Sequence, residues 1–356
     1  MTKILVLGDT HWGVRSDQVP FHDNKKLFLD KVLFPYILKN NIKNVVHNGD
    51  IHDKRKQINF VTADRMKNDF LEFFKHNDVT LDICIGNHDT FYKTSNELNV
   101  MDCMFDGEHD FSNNGQGQNV RWHTTASHLS SCKDVLLVPW ICDDNAEQTF
   151  ETIKKSKAKY VIGHLELQGF KMYKTSIAKS GLDRNVFKKF KKVLTGHFHH
   201  RSTQDNINYI GALAQYTWED YNDPRGFCVL DTKTGDIEYI DNPYNMFEKI
   251  YYNSSDKVPD CANKYIKLIV ENKDKNFDKF LIKLEEQGPL DIQIIDNNLI
   301  ALSEQMQTTE LIEVKDTLSI FNDNIEQLKD EISSSDVDME RLKQLIQELY
   351  VEAQNQ

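Results

Sequence analysis

Five short motifs, each placed directly after an apolar run, constrain this chain more than any other feature. They are Gly8-Asp9-Thr10-His11, Gly49-Asp50, Gly86-Asn87-His88-Asp89, Gly163-His164 and Gly196-His197-Phe198-His199. Over about the first 240 residues, short β-branched runs alternate with polar helical stretches, a pattern typical of α/β units. Residues that follow the strands of such units collect at one edge of a sheet. We therefore expect the five motifs to meet in one site.

Length, charge and cysteine content exclude several classes of protein. The 356 residues exceed the size at which one core keeps growing, which favours one large domain with smaller appendages. A formal net charge of −12 excludes a protein that coats nucleic acid by bulk attraction. The six scattered cysteines fit reduced thiols. Since neither a signal peptide nor an apolar run of about 18 residues is seen, we expect a cytoplasmic protein without a membrane partner.

The polar residues of the motifs are typical ligands of two divalent metal ions. We assign Asp9, His11, Asp50 and His199 to one ion, and Asp50, Asn87, His164 and His197 to the other. Mixed imidazole and oxygen donors suit Mn²⁺, Fe or Zn²⁺ better than Mg²⁺ or Ca²⁺. Two ions about 3.5–4 Å apart activate a water and stabilise the leaving oxygen in phosphoryl hydrolysis.

His88 is the candidate catalytic acid. It follows the ligand Asn87 directly, and an imidazole there can give a proton to a leaving oxygen. Such a ring needs an orienting partner, and Asp53, three residues after Asp50, is the candidate. A bond from the Asp53 carboxylate would fix the tautomer and stabilise the protonated ring.

The chain changes character near Asn242. A strand, a helix and a second strand are predicted at 265–270, 277–286 and 290–295. After residue 303, apolar residues in a three-four spacing predict two amphipathic helices joined by a polar turn at 333–336. The expected domains are residues 1–243, residues 244–303 and a helical hairpin over 304–356.

The motifs resemble those of the calcineurin-like metallophosphoesterase superfamily over roughly residues 3–240. Ser/Thr phosphatases of that superfamily carry Arg and Gly where this chain has Lys54 and Arg55, and Glu where it has Asp89. The chain is more similar to the SbcD-type recombination and repair nuclease subunits. The segments Val138-Pro139-Trp140 and Asp223-Pro224-Arg225-Gly226-Phe227 resemble phage members of that group in particular.

This resemblance implies a fold and a set of partners. The fold class is α/β, a four-layer β-sandwich flanked by helices, with a small α+β capping domain and a C-terminal helical hairpin. The implied activity is exonucleolytic and endonucleolytic cleavage of DNA, favoured by two Mn²⁺ ions. The implied assembly is a homodimer bound to two SMC-like ATPase subunits, with the hairpin on the coiled coil. Relatives in archaea and eukaryotes carry His at Asp53, so roles specific to that His do not transfer.

A nuclease of this charge needs local cationic or aromatic contacts to DNA. The candidates are Trp12, Arg15, Arg55, Lys171, Tyr173 and Arg201, with Lys54, Lys56 and Lys174 beside them. Contacts of this kind position the phosphate backbone without reading bases, so we expect cleavage of double-stranded ends and single strands without sequence specificity.

Two other functions remain open at this point. A phosphomonoesterase or cyclic-nucleotide phosphodiesterase can use the same scaffold, but it would not need the C-terminal hairpin. A non-catalytic scaffold for the ATPase would not need the complete ligand set.

Overall fold

The computed structural model describes residues 3–105, 119–172, 176–252 and 257–296. Its strands are β1 (Lys3–Leu7), β2 (Asn44–His47), β3 (Thr80–Cys84), β4 (Val120–His123), β5 (Ser127–His128), β6 (Val135–Val138), β7 (Tyr160–His164), β8 (Lys192–Gly196), β9 (Ser202–Gln204), β10 (Ile207–Tyr209), β11 (Gly226–Asp231), β12 (Ile237–Asp241), β13 (Phe247–Tyr252), β14 (Tyr265–Val270) and β15 (Asp291–Asp296).

The helices lie mainly between the strands. They are α1 (Val14–Asp17), α2 (Val19–Phe28), α3 (Phe34–Lys39), α4 (Phe60–Arg65), α5 (Glu72–His76), α6 (Val100–Phe105), α7 (Ala146–Lys155) and α8 (Phe277–Glu285). The π-helical segments Leu29–Leu33 and Met66–Leu71 join α2 to α3 and α4 to α5. Short 3₁₀ helices cover Arg184–Phe187 and Trp218–Asp220.

Two six-stranded sheets position the site. Their strand orders are β12-β11-β1-β2-β3-β4 and β5-β6-β7-β8-β10-β9. Strands β1 to β4 are mutually parallel, as are β6, β7, β8 and β10. The carboxyl ends of β1, β2 and β3 therefore share one edge of the first sheet, and those of β7 and β8 share one edge of the second.

Three buried clusters show that the two sheets form a sandwich between helical layers. One cluster joins Val6 and Val46 of the first sheet to Ile162 and Leu194 of the second. Another packs the opposite face of the first sheet against α2 to α5. A third packs the second sheet against α7 and the 3₁₀ helix at Arg184–Phe187. This four-layer α/β arrangement confirms the predicted fold class.

The helical stretch from Val19 to Lys39 follows from its pattern of apolar residues. Buried side chains recur on one face at Phe21, Phe28, Leu33 and Ile37, which is the stripe that an amphipathic helix turns toward a core. Beyond its C-cap the chain turns through Asn41, which has a φ of +50°, a conformation that Asn adopts more readily than most residues.

A third sheet of order β13-β14-β15 and helix α8 follow the sandwich. Strand β14, helix α8 and strand β15 confirm the predicted strand-helix-strand order, whereas β13 and the short strand β9 were not predicted. The described residues up to Leu268, together with Asp274–Gln293, belong to one compact unit. The predicted hairpin over 304–356 lies outside the described residues. Among those that are described, no helix is long and apolar enough to cross a membrane.

Candidate metal centre

Five strand ends from both sheets supply the predicted ligands. Asp9 and His11 follow β1, Asp50 follows β2, and Asn87 follows β3. From the second sheet, His164 is the last residue of β7, and His197 and His199 follow β8. The structure thus brings together all seven residues predicted to bind metal, and it places them where the two sheets converge.

Two candidate ligands, His164 and His197, contact the amide oxygen of Asn87, and Asp50 lies beside His164. Asn87 Oδ1 lies 2.9 Å from His164 Nε2 and 2.8 Å from His197 Nδ1. Asp50 Oδ2 lies 3.3 Å from His164 Nε2. The donor atoms of Asp50, His164 and His197 all lie within 4.8 Å of one another. These four residues are the set that was predicted for the second ion.

A second group adjoins the first through Asp50. Donor atoms of Asp9, His11 and His199 lie within 4.8 Å of one another, and His11 Nε2 is 3.0 Å from His199 Nε2. His11 Nε2 is also 3.7 Å from Asp50 Oδ2, so that carboxylate lies between the groups. This is the set that was predicted for the first ion, with Asp50 placed to bridge.

The donor atoms of both groups fit divalent metal ions. Two nitrogens bound at about 2.0–2.1 Å and at right angles lie about 3 Å apart, which is the His11–His199 separation. Asp9 Oδ2 is buried and has no hydrogen-bond partner among the described residues, although buried carboxylate oxygens are normally paired. An ion bound there would satisfy it.

Four candidate ligands have strained backbone. Asp9, His11, Asp50 and His197 have φ values of +47°, +42°, +53° and +87°, which non-glycine residues adopt rarely. Such strain of about 1–3 kcal/mol per residue persists only where the surroundings enforce it, and it clusters at functional sites.

The glycine before Asp50 is required for two reasons. Gly49 has a φ of +117°, and a Cβ there would lie 2.4 Å from His164 Nδ1. Any side chain at Gly49 would therefore displace a ligand that comes from the other sheet. The sequence placed this glycine in a motif but gave no sign of the close approach of His164.

Burial and close charges change the ionisation of the ligands. Burial raises the pKa of Asp9 to about 6. Burial also opposes ionisation of Asp50, but the adjacent His164 holds the Asp50 pKa well below its ordinary value. For His164, the opposing effect of burial is outweighed by Asp50, and the pKa rises to about 9. Without metal, Asp50 and His164 therefore form a buried ion pair.

His88 lies beside the ligands, but its contact with Asp53 differs from the predicted one. His88 Nδ1 lies 2.5 Å from the main-chain carbonyl oxygen of Asp53. The Asp53 carboxylate instead lies 3.1 Å from His11 Nδ1. The expected bond from that carboxylate to His88 is therefore wrong, because the turn after Asp50 directs the carbonyl toward His88 and the side chain toward His11. The carboxylate orients a candidate ligand instead.

Two buried residues that the sequence did not single out support the strained turn after β1. Lys25 Nζ donates hydrogen bonds to the carbonyl oxygens of Thr10 and His11, at 3.1 and 2.8 Å. The Tyr216 hydroxyl lies 2.8 and 2.9 Å from the carbonyl oxygens of Asp9 and Thr10. Burial lowers the pKa of Lys25 to about 7. One signal was present, since Lys25 falls on the apolar stripe of α2.

Asp89 and Arg225 support the other turns. Asp89 accepts hydrogen bonds from the main-chain nitrogens of His52 and Gly86, at 2.9 and 2.8 Å, and so joins the turns after β2 and β3. Arg225 donates to the carbonyl oxygen of His199 at 2.7 Å. Both residues lie in segments that carried the family resemblance, but spacing alone gave them no role.

The structure places the predicted DNA contacts in different surroundings. Trp12 is only 1% exposed and stacks on His22, so its prediction as a DNA contact is wrong. The loop after β1 carries the Trp12 side chain into the hydrophobic core of the first sheet. Arg201 donates to Asp241 at 2.8 Å and lies over the ring of Tyr239, so its guanidinium is held by β12.

The remaining candidates have different surroundings. Arg15 and Lys171 are exposed, and Arg55 is half-buried with Nη1 unpaired among the described residues. These three are available to a ligand. Tyr173, like Lys174, lies outside the described residues.

The fold and the paired ligand groups together define a metallophosphoesterase. Residues 2–201 match the model of the calcineurin-like phosphoesterase family, and the chain belongs to that family. It is 32% identical to Exonuclease subunit 1 of Enterobacteria phage T4, in an alignment of 359 residues that covers 99% of each chain. It is 25% identical over 256 residues to the SbcD subunit of the nuclease SbcCD from Staphylococcus saprophyticus, covering 69% of this chain and 59% of that protein.

Proposed function

We propose that this chain is the metal-dependent nuclease subunit of an SbcCD-type complex, which hydrolyses DNA phosphodiester bonds at ends in recombination, repair and replication. The observation that carries the proposal is the similarity to Exonuclease subunit 1 over 99% of both chains. The geometry supports it, because all seven candidate ligands converge and His88 lies beside them.

The ligands would hold two divalent ions, for which we propose Mn²⁺. Asp9, His11, Asp50 and His199 would hold one ion, and Asp50, Asn87, His164 and His197 the other. When bound, such a pair would supply Lewis-acid polarisation of the phosphoryl group and a water of lowered pKa. The protein's own contribution is to fix the donors before substrate arrives, through the turns after five strands.

We propose that His88 donates a proton to the leaving oxygen. Because a carbonyl oxygen only accepts, the 2.5 Å contact with Asp53 requires that His88 Nδ1 carry the hydrogen. The other nitrogen, Nε2, then gives a proton only from the imidazolium form. The Asp53 carbonyl therefore orients the ring and stabilises its charge, which is the role that was predicted for the carboxylate.

The wider assembly follows from the same relationship. We propose that residues 1–243 form the nuclease domain, that 244–303 form the cap, and that 304–356 dock on the coiled coil of an SMC-like ATPase. The partners would be DNA ends, single strands, a second copy and two ATPase subunits. A cytoplasmic location remains a prediction.

One assay separates this function from its alternatives. Purified protein with Mn²⁺ is given linear duplex DNA, single-stranded DNA, bis(p-nitrophenyl) phosphate and p-nitrophenyl phosphate. We expect both DNAs to be degraded and the monoester p-nitrophenyl phosphate to remain intact. Efficient hydrolysis of the monoester with intact DNA would instead identify a phosphomonoesterase. Intact DNA, also with the ATPase present, would identify a scaffold.

A matched variant ties any cleavage to the described site. Asn87→Ala removes the oxygen that lies between His164 and His197, and it should abolish cleavage of all diesters. Asn68→Ala, at an exposed position of the π-helical segment Met66–Leu71, should retain wild-type cleavage. Equal activity in the two variants would show that a contaminating nuclease degrades the DNA.

A further inference from the structure

We propose that a lysine-rich surface at the end of the second sheet remote from the metal centre binds the phosphate backbone of DNA. This surface, here called the basic face, consists of Lys154, Lys155, Lys157, Lys188, Lys189 and Lys192. The identity of the polyanion as DNA rests on the proposed function. The surface itself rests on its own geometry and charge.

Two separate segments build the basic face. The C-terminal turn of α7 supplies its first lysines, and the segment after the 3₁₀ helix at Arg184–Phe187 supplies the others. Lys189 Nζ joins the segments, because it donates to the carbonyl oxygens of Lys154 and Ser156 at 2.9 and 2.8 Å. A groove of about 770 Å³ lies between the segments, and its lining includes Phe150 and Val186 as well as Lys154, Lys188 and Lys189.

The charge of these segments contrasts with that of the whole chain. Residues 151–160 and 183–192 contain nine lysines and arginines but only two acidic residues, in a chain of net charge −12. The segment 304–356 holds 13 acidic and 4 basic residues, whereas residues 1–303 hold 42 and 39. The part of the chain that carries the site is thus nearly neutral, and the basic face is a local excess within it.

Neighbouring carboxylates neutralise only part of this excess. Glu151 pairs with Lys155 at 3.0 Å, and Asp134 pairs with Lys159 at 2.7 Å. Asp205 lies 3.5 Å from Arg184. Within the described ranges, Lys154, Lys157 and Lys188 are exposed and have no carboxylate within ion-pair distance. Three cations are therefore free to contact phosphates.

The position of the basic face separates it from catalysis. The amino ends of β7 and β8, at Tyr160 and Lys192, pair with each other, whereas the ligands follow the carboxyl ends. The strand from Tyr160 to His164 is about 13 Å long at 3.3 Å per residue. A lysine of the basic face cannot touch the phosphate being cleaved. It can hold the same DNA farther along, or hold a product after cleavage.

Nucleic acid fits this surface better than a protein segment does. The exposed charge favours a polyanion, because Lys154, Lys188 and Lys189 are exposed, whereas the apolar residues that line the groove with them are half-buried or buried. Mobile lysines that contact phosphates give binding that is independent of base sequence and steeply dependent on salt.

The test compares two triple variants in EDTA, so that metal-bound DNA does not contribute. Lys154→Gln, Lys157→Gln and Lys188→Gln remove the free cations and leave Lys189 in place. The control, Lys31→Gln, Lys39→Gln and Lys275→Gln, changes net charge equally at exposed sites elsewhere. Binding of a fluorescent 30-bp duplex is measured between about 50 and 200 mM salt, at which each phosphate contact contributes about 0.9 to the slope of log Kd against log salt.

We expect the first variant to lower that slope by about 2–3 and to weaken binding at least about 10-fold at the lower salt. The control should keep the wild-type slope, and both variants should hydrolyse bis(p-nitrophenyl) phosphate with Mn²⁺ as the wild type does. An unchanged slope in the first variant would overturn the proposal and favour an acidic protein segment as the occupant. Equal decreases of the salt slope and of the DNA affinity in both variants would overturn the proposal as well. If the wild type cleaves no DNA but the slope still falls, the proposed function fails while the basic face stands.

Discussion

At the scale of single residues, the candidate metal centre depends on residues outside the predicted ligand set. Asp9 and His11 have left-handed backbone, and Lys25 and Tyr216 donate hydrogen bonds to the carbonyl oxygens of Asp9, Thr10 and His11. Since a non-glycine residue leaves that conformation when unsupported, the buried donors keep the ligands aimed at one point. Their removal should therefore change metal affinity more than it changes the fold.

Tyr216→Phe tests this support with the loss of one oxygen atom. We expect affinity for Mn²⁺ to fall about 10-fold or more, as is typical when an outer partner of a ligand is lost. Titration against a fluorescent chelator measures it. The matched control is Tyr160→Phe, which removes another buried hydroxyl that donates to a main-chain carbonyl, that of Thr232. If both variants bind Mn²⁺ alike, Tyr216 has no positioning role.

His88→Gln separates the catalytic acid from the ligands. The rate of DNA cleavage should fall about 100-fold or more, because the proton donor is lost. Metal content, measured by atomic emission, should stay at two ions per chain. The exposed His76→Gln serves as the control and should cleave at the wild-type rate. Loss of metal from the His88 variant would make His88 a ligand and would contradict the proposed division of roles.

At the scale of elements, α2 is joined to the loop after β1 and to α4 through His22. The ring stacks on Trp12, with centroids 5.7 Å apart, and its Nε2 lies 3.2 Å from the Thr62 hydroxyl. That hydroxyl donates to Asp17, so it accepts from His22. The other nitrogen, Nδ1, is buried without a partner among the described residues. A second proton on the ring would therefore have no acceptor, and burial lowers the pKa of His22 to about 4.

This depressed pKa makes the packing of α2 sensitive to acid. Below the unfolded value of about 6.5, the unfolded chain binds a proton that the native state excludes until about pH 4. Stability from neutral His22 is therefore complete above pH 6.5 and is lost as the pH falls toward 4. Each pH unit in that window should cost about 1.4 kcal/mol.

His22→Gln removes this titration. Wild type and variant are unfolded with urea from pH 7.5 to 4.5. We expect the unfolding free energy of the wild type to fall more steeply with decreasing pH than that of the variant. A difference that stays constant across the range would show that His22 does not carry the effect.

The predicted elements illustrate what a sequence pattern can specify. Most strands that precede candidate ligands were found because they contain a continuous apolar run, as in β1, β2 and β7, which is expected of parallel strands buried on both faces. Strand β9 was missed, since a strand of three polar residues is too short to give a recognisable pattern. Strand β13 was missed for a similar reason, because Glu248 and Lys249 interrupt its apolar residues.

At the scale of the whole molecule, charge is divided between the part that holds the site and the acidic segment 304–356. We expect a chain that ends at Ser303 to keep Mn²⁺-dependent cleavage of DNA, because every candidate ligand precedes that residue. It should no longer co-purify with an SMC-like ATPase that retains the full-length chain. Retained co-purification would contradict the proposed docking role of 304–356.

The sequence by itself predicted most of the strands, seven candidate ligands and the family, because apolar runs and the residues that follow them are local features. Only the tertiary structure decided which atom of Asp53 faces His88, that Trp12 is buried, and that Lys25 and Tyr216 support the site. Those outcomes depend on contacts between residues far apart in the chain, such as Tyr216 with Asp9. Spacing along a chain fixes which residues leave a strand end, whereas the backbone angles and the neighbouring sheet fix where each atom points.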